Sequence, residues 1–446
     1  MTRFSGTRVS ELNALLADAS VRAVRVTSPR LSVDTTLRIA RPGLWLDLGI
    51  TALTAGPRGP LFLLRLEGAD GATVSGGVFR GGQWGALVHA SRNVTLRGGR
   101  FTRMARGGVV FSDAPEALLA HASLSSIGGA GLLVHGMSER AAAVDNEIVA
   151  GTGSSNWHAG VVVSDRNAPV GEDPGSLLRA DGYGVREQRI DSRLRGPRGV
   201  VVAFNRIAHN GAAGIYGDGA IGAVMIGNVI EGNAKEGICL DNGSTASVVA
   251  DNLVRLNGKR WGKRDADLQL DFVLAQGRLA DGSAVAKTPG ISLDNALYNI
   301  VYGNHVDRNF GGGIKMVRTA FFNLVGLNVL TDNNLGASEQ FHFFAIEVGA
   351  AGADVPVSDL DFAPSRGNVV FANSVRGRHY AGIFYGAGSD ENDAFDNAIF
   401  GATHWALEQA RPQANRTLNN LTNLMSRNID SGLDPKLIPL ARGRYD

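Results

Sequence analysis

Apolar and polar positions repeat along this chain at a nearly fixed interval. A glycine followed by an apolar residue returns as Gly85-Ala86, Gly108-Val109, Gly131-Leu132, Gly160-Val161, Gly214-Ile215, Gly237-Ile238, Gly290-Ile291, Gly313-Ile314 and Gly382-Ile383. Gly85 to Gly108, Gly108 to Gly131, Gly214 to Gly237 and Gly290 to Gly313 are each 23 positions apart. A constant period of this length predicts stacked units, none of which can bury its apolar face alone. Short segments such as Ala223-Val224-Met225-Ile226 and Asn299-Ile300-Val301-Tyr302 read as strands.

Numbered from each glycine, the first and third following positions are apolar almost throughout, the third being Val88, Phe111, Val134, Val163, Gly217, Leu240, Leu293 and Met316. Alternation along a strand turns these inward and the second and fourth positions outward. A second signature is Asn followed by Asn five positions later, at Asn205/Asn210, Asn228/Asn233, Asn252/Asn257, Asn304/Asn309 and Asn328/Asn333. Asn tolerates left-handed backbone and bonds its own turn, so these pairs predict corners between strands. Several short strands and two corners per repeat describe one coil of a parallel β-helix. The Leu spacing of a leucine-rich repeat is absent.

The pattern predicts an all-β chain, a single-stranded right-handed parallel β-helix with an N-terminal capping helix over Thr7–Ala19, Ser10 being its candidate N-cap. The β-helix domain is placed at 1–410, its repeat proper running from about residue 70, with a C-terminal cap or tail at 411–446. Polar insertions at 165–198 and 258–289 interrupt the period, the second carrying the basic run Lys259–Arg264; they are candidate groove walls. The composition agrees: of 446 residues 59 are Gly, 14 Pro and 19% charged, which suits turn-rich β structure. A net charge of +2 gives no reason to expect nucleic acid or a membrane surface as partner. One cysteine, Cys239, excludes a disulfide framework within the chain. Residues 1–20 show no signal peptide, so the compartment is open: cytoplasmic as the sequence stands, secreted or periplasmic if a leader has been removed.

The outward columns hold the candidate chemistry. The fourth position reads His89, Ser112, His135, Ser164, Asp218, Asp241, Asp294 and Val317. The second reads Leu87, Val110, Leu133, Val162, Tyr216, Cys239, Ser292 and Lys315. Ala345 replaces the next glycine, which puts Glu347 in the second column. Coils stacked about 4.8 Å apart would line up Asp218, Asp241 and Asp294, with Lys315 and Arg318 one coil beyond and Glu347 one further. Stacked carboxylates repel, and at least one should hold its proton more tightly than usual. Turn-capping is the plain alternative for Asp241-Asn242 and Asp294-Asn295. Tyr216, Trp157, His158, His135 and Trp261 complete the substrate-binding candidates, aromatic faces being suited to a pyranose ring. Cys239 has no His to activate it and reads as a packing residue. No Cys/His spacing suggests zinc.

The 23-residue Gly-Ile and Asn pattern resembles the pectin-lyase-like right-handed β-helix superfamily, including the NosD-type repeat, over roughly residues 70–410. The resemblance implies an enzyme that binds a glycan on the outer face of one sheet. The order Asp218, Asp241, Asp294, Lys315 is similar to polygalacturonases, in which carboxylates on consecutive coils act as acid and base and a basic motif holds a uronate. Paired Asp-Asp, a His-Gly in the third coil, Arg-Ile-Lys and the Asp-Pro-His-Asp of alginate epimerases are absent. The expectation is a polysaccharide-active enzyme cleaving a uronate-containing or other acidic glycan by carboxylate acid/base hydrolysis. Asp218, Asp241, Asp294 and Lys315 would be catalytic; Arg318 and Glu347 would bind substrate. A lyase or C5-epimerase using Lys315 and Arg318 is the first alternative, and a non-catalytic glycan-binding β-helix the second. No cofactor is expected beyond Ca²⁺ in the lyase case. The partner is a polysaccharide or oligosaccharide, with a homo-trimer as the further option.

Overall fold

The computed structural model describes residues 1–56, 59–151, 158–164, 197–259, 288–317, 319–336, 343–349, 365–386, 389–409 and 415–422. Most of both long insertions, with Trp157, Trp261 and Arg318, lies outside them. The chain is an all-β right-handed parallel solenoid, with one α-helix among the described residues. It divides into two compact units, Met1–Ala223 and Val224–Asp446.

Both units use one coil plan. The strand after each glycine tag joins a parallel sheet, here the tag sheet. In unit 1 its strands are Leu37–Ile39, Phe62–Glu67, Trp84–His89, Gly107–Ser112, Leu132–His135, Val161–Ser164 and Ile215–Asp218. In unit 2 they are Ile238–Asp241, Ile291–Asp294, Ile314–Val317, Ile346–Val348, His379–Tyr385 and Ala402–Gln409. Two shorter strands per coil form the opposing asparagine sheet, for example Ile300–Tyr302 and His305–Asp307. The core lies between the sheets, where Ile291, Leu293, Val301 and Val306 are fully buried. Each such side chain contributes about 1.5–3 kcal/mol. At Gly237 the tag is held to glycine, because a Cβ there would come within 2.4 Å of Val254 Cγ1.

The solenoid begins before the repeat is visible in the sequence. Thr2–Phe4 already pairs with Ala23–Val26, and strand pairing continues to Leu421–Thr422. The helix is Val9–Ala17 and buries Val9, Leu12 and Leu16. Ser10 is not its N-cap: Arg8 holds that position without a side-chain bond, and Ser10 sits inside the first turn. There both its N–H and its hydroxyl donate to Asp34 of the next coil. The Ser10 hydroxyl in turn holds the Asp34 carboxyl below its ordinary range. Asn13 then stands in for a missing coil, donating to Thr36 O at 2.8 Å and accepting from Arg38 N at 2.8 Å. The helix thus closes the first tag strand's open edge.

The asparagines do not take the left-handed corner conformation themselves. That falls to the residue before each, as at Asp251 (φ 53), Leu256 (φ 58) and Leu327 (φ 57). The Asn side chains point inward, are buried, and stack into ladders. Asn304 is typical. Its Nδ2 donates to Asn328 Oδ1 at 2.9 Å and to Val249 O at 2.9 Å. Its Oδ1 accepts from the backbone N–H and the Nδ2 of Asn252, at 3.0 and 2.9 Å. Unit 2 carries three ladders rather than two: Asn299, Asn323, Asn368, Asn392 and Asn415 form one that the five-residue signature passes over.

One ladder ends on a different residue. Asn333 donates its backbone N–H to His379 Nε2 at 3.0 Å, so the imidazole must be neutral. Burial pushes the His379 pKa down to about 4, with the Asp332 carboxylate opposing the shift. An unfolded His titrates near 6.5, so the neutral ring contributes its full stability above about pH 6.5 and loses it as pH falls towards 4. Urea unfolding should therefore show about 2–3 kcal/mol of His379-linked loss between pH 7 and 4.5. His379→Gln, which keeps an acceptor and cannot titrate, should remove that part. An equal acid-induced loss in wild type and variant would contradict it.

Candidate active site

Outward polar positions of the tag sheet differ between the units. In unit 1, Leu87, Val110, Leu133 and Val162 fill the second column and are shut off from solvent. The fourth column places Ser112, His135, Ser164 and Asp218 in register. Asp218 accepts from Ser164 Oγ at 3.0 Å, and both are buried. Tyr216, in register with Val162, is buried as well. The open stripe expected at Asp218 and Tyr216 is therefore closed: both side chains are shut off from solvent, Asp218 against Ser164 and Tyr216 beside Val162. His135 and His158 are half-buried.

Unit 2 gathers the charge. Cys239 pairs in register with Ser292, Ser292 with Lys315, and Lys315 with Glu347, as the substitution of Ala345 for glycine implies. Lys315 Nζ lies 3.1 Å from Glu347 Oε1, and the two side chains are 31% and 8% exposed. Asp241 and Asp294 end consecutive tag strands and are half-buried. Each precedes a left-handed Asn, Asn242 (φ 54) or Asn295 (φ 51). Asp241 Oδ1 accepts the Asn242 N–H at 2.6 Å. The turn-capping role is thus real for Asp241, and it fixes the carboxylate at the end of its strand.

Two residues escaped the sequence reading. Glu236 and Lys235 immediately precede the Gly237 tag. The position before the tag is Trp84, Gly107, Ala130, Ala159 and Ala213 in earlier coils, and Pro289, Gly312, Phe344 and Ala381 in later ones. Glu236 is the one charged residue in that column, a signal legible in the repeat once the column is read. Burial lifts the Glu236 carboxyl above its usual range; Lys235 opposes the rise, Asp241 adds to it and Lys315 opposes it. The same cluster acts on Cys239. Burial pushes its thiol well up, and the charges of Glu236, Asp241 and Asp294 push it further. Cys239 is accordingly a packing thiol.

The arrangement offers a carboxyl whose affinity for its proton is raised by burial, carboxylates at the ends of consecutive tag strands, and a cation held by a buried partner. Such a set can donate and accept protons on either side of a polar bond. Among the described residues, no three His, Cys, Asp or Glu side chains come together to hold a metal ion.

The sequence model of the NosD family, described as a periplasmic copper-binding protein, matches residues 198–341. No curated protein sequence matches the chain. In structure the chain is similar to the A-module of mannuronan C-5 epimerase AlgE6 from Azotobacter vinelandii, with a TM-score of 0.55 and 12% identity over 94% of this chain and 100% of that module. It is also similar to PfbA, a surface adhesin of Streptococcus pneumoniae, with a TM-score of 0.45 and 10% identity over 91% of this chain and 93% of that one. DFA-IIIase from Arthrobacter chlorophenolicus A6 gives a TM-score of 0.46 and 12% identity over 86% and 88%. At these identities the likeness is one of fold. The chain is a right-handed parallel β-helix whose residues 198–341 match the NosD family model.

Proposed function

We propose that this protein is a polysaccharide-active enzyme that cleaves an acidic glycan by carboxylate acid/base hydrolysis on the outer face of the tag sheet in unit 2. The observation that carries the reading is Glu236, a carboxyl lifted by burial beside the Asp241 carboxylate. A general acid needs a carboxyl that is still protonated when its partner is ionised, and different environments separate the two roles. Glu236 would protonate the leaving glycosidic oxygen. Asp241 and Asp294 would activate water or stabilise the positive charge that develops on the sugar ring. Lys315, steadied by Glu347, would hold a uronate carboxylate. Asp218 is left to the structural role that its Ser164 bond gives it. The Lys315–Glu347 contact favours Lys315 as a holder over Lys315 as the proton-abstracting base of a lyase or epimerase. Copper, which the matched family's description names, would need a ligand cluster that the described residues do not supply.

A panel of acidic and neutral polysaccharides, read together for reducing ends and for ultraviolet absorbance, tests the reading. Reducing ends without an absorbing double bond are expected. Glu236→Gln, Asp241→Asn and Asp294→Asn should each lower kcat/KM by about 100-fold or more while thermal unfolding stays close to wild type. An absorbing product would replace hydrolysis by elimination. Absence of any product, or three variants that keep full activity, would remove the site.

The ion pair has its own test. Lys315→Met leaves Glu347 buried without its cation and should cost about 2–3 kcal/mol in urea unfolding, nearer the low end for a buried pair because Lys315 reaches solvent. Lys315→Met combined with Glu347→Gln should recover most of that loss. A single variant as stable as wild type would show that the pair contributes nothing.

A further inference from the structure

The positive charge of unit 1 collects in one stretch of chain. Asp and Glu make up 42 of the 446 residues, yet none occurs from Gly71 to Ser112. The same stretch carries Arg80, Arg92, Arg97, Arg100, Arg103 and Arg106, and no lysine. All six arginines are exposed. Arg92 reaches Glu116 at 3.9 Å. Arg80, Arg97, Arg100 and Arg103 make neither an ion pair nor a side-chain hydrogen bond with any described residue.

Register gathers these four on the outer face of the asparagine sheet. Arg97 ends the strand Thr95–Arg97 and Arg100 begins Arg100–Met104, with the corner Gly98-Gly99 between them. Arg80 stands opposite Thr102, so it faces the gap between Arg100 and Arg103 one coil on. Hydroxyls fill the neighbouring places: Ser75 beside Arg97, Ser123 beside Arg100, and Ser125, which donates to Thr102 Oγ1 at 3.2 Å. The first carboxylate met along the Arg97 column is Asp47, two coils away and held by Arg25 at 2.8 Å. Along the Arg100 column it is Glu147, two coils away and held by Arg206 at 3.0 Å. Like charges gathered on one face of a sheet oppose folding. The core beneath does not need them, since the buried rings of Phe79 and Phe101 fill it, stacked 4.7 Å apart.

We propose that this face is a binding site for an acidic glycan, an extended sugar chain bearing carboxylate or sulfate groups. Guanidinium is the cation that grips an oxyanion with two parallel N–H bonds, and the stretch uses arginine throughout. The hydroxyls around it suit the hydroxyls of a sugar. Trp45 is 44% exposed at the edge of the face, in register with Thr73, and its Nε1 donates to Ser75 Oγ at 3.3 Å. Its ring is available to the flat side of a pyranose. A single strand of nucleic acid stacks successive bases on several rings, and a duplex is read by an element that enters a groove. Among the described residues this face offers Trp45 alone and a flat sheet. The site lies on a different sheet from Glu236 and Lys315 and does not depend on their chemistry.

Fluorescence anisotropy of the full chain with labelled oligogalacturonate and labelled chondroitin sulfate tests the site, with dextran and a DNA oligonucleotide as comparisons. At least one of the two acidic glycans should bind, more weakly as salt rises from about 50 to about 200 mM, and dextran should not. Arg97→Gln with Arg100→Gln and Arg103→Gln should weaken that binding by about 50-fold and leave the melting temperature unchanged. Arg206→Gln with Arg308→Gln and Arg376→Gln removes the same charge elsewhere and should bind as wild type does. The loss should be as large in a chain that also carries Lys315→Met and Glu347→Gln, which lacks the uronate holder proposed in unit 2. Failure of both acidic glycans to bind overturns the proposal. So does an equal loss in the second triple variant, a loss that disappears in the Lys315→Met, Glu347→Gln chain, or DNA or anionic vesicles held more tightly through the same three arginines.

Discussion

Vertical hydrogen bonding by buried asparagine is the constraint on which the described structure of unit 2 rests. A β-coil with three corners must turn its backbone sharply inside a dry core, and each turn strands an amide N–H. The Asn of the following coil accepts that N–H and its own neighbour's Nδ2 with a single oxygen, as Asn328 does for Asn304 at 3.0 and 2.9 Å. Buried polar groups left unmade cost far more than made ones contribute, so each ladder rung locks one coil over the next. A slip of one residue would break every rung and also turn each strand inside out. Register is therefore fixed at the asparagine sheet, and the tag sheet inherits it. That inheritance is why Lys315 meets Glu347 across consecutive coils.

Within such a lattice every column is a separate chemical decision. In unit 1 the outward second column is apolar from Leu87 to Val162 and is shut off from solvent. In unit 2 the same column becomes Cys239, Ser292, Lys315 and Glu347, with Asp241 and Asp294 beside it. Packing does not require that change, since the inward positions stay apolar almost throughout. Bringing Glu236, Asp241 and Asp294 within electrostatic reach of Cys239 opposes folding through desolvation and mutual repulsion, and Lys235 opposes their effect on the thiol. This is the region to which the proposed activity is assigned, Leu and Val standing at the same places in unit 1.

The coil, its inward faces and the Lys315–Glu347 neighbourhood were legible in the sequence because glycine tags and alternation encode them directly. Three features were not. The first coils carry no Gly-Ile tag and no asparagine ladder, so pairing from Thr2 onward left no periodic trace. The asparagines were assigned to the corners they adjoin; distinguishing an Asn in left-handed backbone from an inward Asn following such a residue requires φ angles, as at Asp251 and Asn252. Burial of Asp218 and Tyr216 was also hidden, since outward orientation and access to water are different properties. Glu236 could have been found, because it breaks an otherwise uncharged column.

Asn304 offers the most direct measurement, since it bonds to both neighbouring coils. Asn304→Ala strands the Asn252 N–H and two carbonyls. It should lower the unfolding free energy by about 3–5 kcal/mol in urea, with hydrogen exchange accelerating in the strands Val248–Ala250, Ile300–Tyr302 and Leu324–Gly326. A cost below about 1 kcal/mol, typical of a surface asparagine, with exchange unchanged in those strands, would contradict the ladder as the element that sets register.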